Sequence, residues 1–174
     1  MMTKEEKYQL LTEQIKSLID GETDAVAVMA NVCAAIHEAM GFFWTGFYRV
    51  VPLAGKNGAE YQGLTSAGDP SAELVLGPFQ GPVACIHIPF GRGVCGSAWQ
   101  RRETLVVPDV EQFPGHIACS SLSRSEIVVP VFAPDDSRVL AVLDIDSREL
   151  ATFDDVDRRH LEAVCRLIAP SIEG

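Results

Sequence analysis

No run of about 18 apolar residues occurs in this chain of 174, which excludes a helix that crosses a bilayer. The first residues, Met1-Met-Thr-Lys-Glu-Glu-Lys-Tyr-Gln, are charged and lack the apolar centre of a signal peptide. Basic clusters are equally scarce, the longest being Arg101-Arg102, answered at once by Glu103. With a net charge of −10 and a pI near 4.8, nucleic acid is not an expected partner. There is no Cys-x-x-Cys pair, and an odd count of 5 cysteines rules out a complete disulfide framework. Repeats, low-complexity tracts and internal linkers are also missing. Together these absences predict one domain over 1–174 in a reducing, cytoplasmic compartment, where disulfides are transient and catalytic rather than structural.

What is present is a globular composition, 47% hydrophobic and 22% charged. Tyr8, Leu11, Ile15, Leu18 and Ile19 recur at helical spacing up to Gly21. Asp24 caps a second helix with a stripe of Met29, Val32, Cys33, Ile36 and Met40, ending at Gly41. Strand patterns follow at Phe42–Val51, Tyr61–Ala67, Glu73–Leu76, Cys85–Ile88 and Thr104–Val107, with a turn over Pro52–Glu60. Gly93 to Arg101 reads as a short helix, and Gln112 to Ser123 as a loop. Ser125–Phe132 and Val139–Asp146 form a hairpin across Ala-Pro-Asp-Asp-Ser. Thr152 to Ala169 is helical, with Asp157, Leu161, Val164 and Ile168 on one face and Pro170 beyond its end. Helices at both ends with about six antiparallel strands between them make an α+β domain.

The hairpin concentrates charge. Strand alternation puts Glu126, Val128 and Pro130 on one face, and Leu140, Val142, Asp144 and Asp146 on one face of the return strand. A three-residue turn centred on Asp135 sets Glu126 opposite Asp144, with Asp146 one step along and Ile127, Val128, Val142 and Ile145 flanking. Opposed like charges destabilise a sheet. The usual remedies are a bound cation, a metal, or one acid held protonated.

Cys85, Cys95 and Cys119 lie in Gly/Pro-rich sequence, separated by nine and twenty-three residues. That spacing suits a structural zinc site poorly, although His87 and His116 are near. Cys95 opens a short helix whose dipole is expected to lower its pKa, and Cys119 lies between His116 and Arg124. Cys33 and Cys165 fall in helices and read as packing. Trp44, Phe47 and Tyr48 group on the first strand and read as core in the first instance. The glycines of Phe90-Gly-Arg-Gly-Val-Cys-Gly lack the lysine and the spacing of a phosphate loop.

Four motifs in order, Pro89-Phe-Gly-Arg-Gly-Val-Cys-Gly, Phe113-Pro-Gly-His-Ile-Ala-Cys, Ser125-Glu-Ile-Val-Val-Pro-Val and Val142-Leu-Asp-Ile-Asp-Ser, resemble the free methionine-(R)-sulfoxide reductases, stand-alone GAF-domain enzymes. The likeness runs from the Trp44-x-Gly-Phe-Tyr segment to the last helix. Ser120 departs from it, since an acid is expected after the cysteine. The resemblance implies a single GAF-like catalytic domain that reduces free methionine-(R)-sulfoxide. Cys119 would be the nucleophile, with Cys85 or Cys95 as resolving thiol, Cys85 first. Glu126 would give the proton, Asp144 and Asp146 would hold the substrate ammonium, and Trp44 and Tyr48 would wall the S-methyl group. A thioredoxin-like partner would reduce the disulfide, no metal or organic cofactor is implied, and a homodimer is the family's expectation.

Two rival readings stand beside it: a non-catalytic GAF domain that senses a small ligand, and a redox sensor whose disulfide reports oxidant. Sensors of the first kind are normally fused to output domains, for which this chain has no room.

Overall fold

A computed structural model describes residues 2–53, 71–116 and 120–173. The expected strand at Tyr61–Ala67, most of the turn before it, and Cys119 lie outside these described residues. Four α-helices, α1 (Lys4–Ile19), α2 (Ala25–Met40), α3 (Gly93–Arg101) and α4 (Asp155–Glu173), accompany six strands. These are β1 (Trp44–Pro52), β2 (Ala72–Gln80), β3 (His87–Pro89), β4 (Leu105–Val107), β5 (Ser125–Phe132) and β6 (Val139–Ser147). The strands form one antiparallel sheet in the order β3-β2-β1-β6-β5-β4.

Local chemistry sets the helix ends. Thr3 and Glu6 close a capping box on α1, and the Asp24 carboxylate accepts from the Ala27 amide at 2.8 Å at the start of α2. Gly41, at φ 71°, ends α2 in the left-handed region, its amide donating to the His37 carbonyl. The last helix starts later than the sequence pattern suggests. Asp154 accepts from the Val156 and Asp157 amides while Asp157 accepts from the Asp154 amide, so Thr152 stays outside. It also runs past Pro170 rather than stopping before it. The proline forfeits one backbone bond, but only in the last turn, and Ile172 packs on the core beyond it.

Alternation along the strands splits the interior in two. Phe47, Ile127, Val129, Val131, Ala141, Leu143 and Ile145 face α1, α2 and α4. Trp44, Tyr48, Leu74, Val128 and Val142 face α3, whose Val94, Cys95, Ala98 and Trp99 complete the second core. Cys33 and Cys165 are buried in the first core, away from α3, as packing residues. α1 is tied to α4 through the buried Asp157, which accepts from the Tyr8 hydroxyl at 2.8 Å and from Lys4 Nζ at 2.7 Å. The strand expected at Glu73–Leu76 extends to Gln80, because the β1–β2 register shifts between Gly46 and Tyr48 and absorbs Gly77-Pro78. β3 is shorter and later than Cys85–Ile88, leaving Cys85 in the preceding loop.

Candidate active site

The floor of the site is the α3-facing side of β5 and β6. Glu126 lies opposite Asp146, and Val128 opposite Asp144. The expected pairing of Glu126 with Asp144 is therefore displaced by two residues. One comes from the connection, which holds four residues rather than three and closes with the Ala133 amide donating to Arg138 O at 2.9 Å. The other comes from a bulge, Val131 pairing with Ala141 but Phe132 with Val139. An even displacement leaves Glu126, Asp144 and Asp146 on their expected face, so all three carboxylates still converge. The bulge does change one neighbour: Val139, not Leu140, joins the core on this side. Ile127 and Ile145 point to the helix-packed face instead of flanking the acids.

Burial governs the charge states here. Glu126 is 6% exposed and Asp144 7%. Burial, then the facing carboxylates, pushes both well above the usual carboxylate range. Asp146 is pushed up to about 6 by burial, against a hydrogen bond from Ser123 that holds it down. Asp144 Oδ1 has no hydrogen-bond partner among the described residues. The Cys95 thiol approaches Glu126 Oε1 at 4.0 Å. Donor atoms of Cys95, Glu126 and Asp144 lie within 4.8 Å of one another, the one such cluster among the described residues.

Cys95 corrects an expectation. Its place at the start of α3 does not yield a thiolate, because burial and then the three carboxylates drive its pKa up instead. The helix dipole is a small effect beside a desolvated thiol facing acids. Cys95 stands there as a neutral thiol.

Aromatic residues of β1 form the wall. Trp44 and Tyr48 stack at 6.0 Å and line the cleft, whereas Phe47, on the alternate face, belongs to the helix-packed core. Gly46 between them leaves no room for a side chain: a Cβ there would collide with the Trp44 ring and sit 2.6 Å from Phe79 Cβ. The wall also holds the loop before β3. Trp44 Nε1 donates to Pro82 O and the Tyr48 hydroxyl to Cys85 O, each at 3.0 Å. Tyr48 thereby pins the backbone of a cysteine that is itself disulfide-bonded, while Cys33, Cys95 and Cys165 are free.

His116, Ser120 and Ser123 line the cleft from the loop before β5, and Arg92 lines it from the start of α3. Burial lowers the His116 pKa, favouring the neutral ring. Ser120 Oγ accepts from the Leu122 amide at 3.2 Å. His87 does not join the cleft and instead pairs with Glu73 at 2.9 Å on the surface. Ser123 and Arg92 are residues that sequence patterns do not reveal. Ser123 is one of three serines in five residues, and nothing in the spacing singles out the one that reaches Asp146.

Comparison with known proteins points to one family. A family profile described as GAF domain matches residues 24–172. GAF domain-containing protein A of Dictyostelium discoideum is 48% identical over 166 residues, covering 95% of this chain and 92% of that protein. The free methionine-R-sulfoxide reductase of Saccharomyces cerevisiae is 39% identical over 175 residues, covering 98% of this chain and 88% of its own. Among solved structures, the free methionine-R-sulfoxide reductase of Neisseria meningitidis in complex with its substrate superposes with a TM-score of 0.84. It is 47% identical and covers 99% of this chain and 92% of that one.

Proposed function

Because the chain belongs to the GAF-domain family, among the free methionine-R-sulfoxide reductases, we propose that it reduces free L-methionine-(R)-sulfoxide to L-methionine, with its own cysteines as the electron source and a thioredoxin-like dithiol as the regenerating partner. The observation that carries this reading is the buried carboxylate floor beneath Trp44 and Tyr48. Buried acids without a compensating cation are costly, and a free amino acid brings an ammonium that a methionine within a peptide lacks. Asp144 and Asp146 would pair with that ammonium, and the aromatic wall would take the S-methyl end.

The chemistry then runs in three steps. The Cys119 sulfur attacks the sulfoxide sulfur while Glu126 passes its proton to the sulfoxide oxygen, which is a poor leaving group until protonated. The substrate S–O bond and the transient bond between the two sulfurs break as the hydroxyl moves to the Cys119 sulfur, and the proton that the Cys119 thiol gave up restores Glu126. Methionine leaves reduced by two electrons, and Cys119 remains as a sulfenic acid. The Cys85 thiol attacks that sulfur, expels water and forms a disulfide, which the external dithiol reduces by exchange. The raised pKa of Glu126 suits a donor that must hold its proton near neutral pH. That Cys85 is disulfide-bonded while Cys95 is a free, protonated thiol favours Cys85 as the resolving residue.

The test is methionine formation from free methionine-(R)-sulfoxide with a small dithiol as reductant. Steady release of methionine is expected, and its complete loss in Cys119→Ser. Cys85→Ser should release about one methionine per protein with thioredoxin and then stall. No methionine from the wild-type chain would contradict the reading and leave a sensor.

A further inference from the structure

From the donor set beneath α3 we infer that Cys95, Glu126 and Asp144 form a binding site for one thiophilic divalent cation, zinc in the first instance. The three groups come from α3, β5 and β6, so the site is assembled by the fold and not by a sequence motif. Their donor atoms lie within 4.8 Å of one another, and Cys95 Sγ is 4.0 Å from Glu126 Oε1. Zinc bonds of about 2.3 Å to sulfur and about 2.0–2.2 Å to oxygen place tetrahedral donors roughly 3.3–3.6 Å apart. The donors must draw together by roughly 1 Å to hold the ion.

Independently of the cluster, Asp144 is 93% buried by its 7% exposure, lines the cleft, and has an Oδ1 with no hydrogen-bond partner among the described residues. A buried carboxylate oxygen without a donor is an acceptor that a cation satisfies. Three protein donors leave a fourth position toward the cleft, as in open zinc sites. The thiol selects against magnesium, which demands six oxygens in near-octahedral array. Such a cation would occupy the place that the proposed reductase mechanism gives the substrate ammonium, making zinc a competitive inhibitor. That consequence rests on the mechanism, whereas the binding does not.

Cobalt(II) serves as the probe, added to the full-length protein in its disulfide form without substrate. Only Cys33, Cys95 and Cys165 are then free among the described cysteines, and two of these are in the opposite core. Saturation at one cobalt per chain is expected, with a near-ultraviolet thiolate-to-cobalt charge-transfer band and the visible absorption of a four-coordinate ion. Zinc should displace it and magnesium should not. Cys95→Ser should abolish the charge-transfer band. Asp144→Asn should keep the band but weaken binding by at least about tenfold, no less than the loss of an outer-shell partner. Cys33→Ala and His116→Gln should change neither. The inference is overturned if cobalt does not saturate at one equivalent, if the band survives Cys95→Ser, or if Cys33→Ala or His116→Gln removes it. These readings involve no turnover, so a failed metal site and a failed reductase assignment are separate results.

Discussion

Asp146 faces Glu126 directly across the β5–β6 ladder, with the buried Asp144 two residues away on the same face of β6. A sheet gains nothing from such a pair. The arrangement makes sense as division of labour, one acid keeping a proton and another presenting charge at the cleft.

Glu126→Gln keeps the shape and removes the exchangeable proton. The rate of the chemical step should fall by roughly 10²–10⁴-fold, the range for loss of a general acid, while KM changes little. A kcat within a few-fold of wild type would mean that the sulfoxide oxygen takes its proton elsewhere.

Asp144→Asn and Asp146→Asn should act on KM instead. A charge-assisted hydrogen bond is worth on the order of 1.5–3 kcal/mol, or roughly ten- to a hundredfold in binding. Asp146 is raised to about 6, so in the wild type KM should fall as pH rises through 6 and the carboxylate becomes charged. A flat KM between pH 5 and pH 8 would remove Asp146 from substrate binding.

Stability should move the opposite way. The folded pKa of Asp144 lies above its unfolded value because of burial, so the folded state holds a proton that the unfolded state has lost. Its contribution is intact below the ordinary carboxylate pKa of about 3.9 and is lost progressively as pH rises. Asp144→Asn should thus raise Tm at pH 8 and leave it nearly unchanged at pH 3.5. Each kcal/mol corresponds to roughly 2–4 °C in a domain of this size. Thermal denaturation of both proteins at the two pH values checks this, and a lower Tm for the variant at pH 8 would contradict it.

Gly46→Ala tests the wall. Its Cβ would collide with the Trp44 ring and Phe79 Cβ, and overpacking costs typically about 1–3 kcal/mol. The variant should lose several degrees of Tm and raise KM as Trp44 is displaced, with near-ultraviolet circular dichroism reporting the indole. An unchanged spectrum and KM would show that the ring has room to yield.

Much of this was legible from residues alone, because the signals were local. Asp24 and Gly41 bracket α2, the alternation in β5 and β6 brings Glu126, Asp144 and Asp146 to one face, and the cysteines of the helices are core. The register was not legible: turn length and the bulge at Leu140 are decided by twist and packing, and they shifted the pairing by two while sparing the face. The Cys95 thiol departs from its expected low pKa for a similar reason. Helix position is visible in sequence, whereas burial against three carboxylates from other strands is not. Continuation of α4 through Pro170 likewise depends on packing of Ile172 against the core.

Comparing kcat/KM of the wild-type protein for free methionine-(R)-sulfoxide and for its N-acetylated form tests the central claim most directly. Acetylation removes the ammonium and leaves the sulfoxide untouched. If the buried acids select a free amino acid, kcat/KM should drop by about ten- to a hundredfold or more, and the penalty should shrink in Asp144→Asn and Asp146→Asn. Equal efficiency on the two substrates would contradict the account.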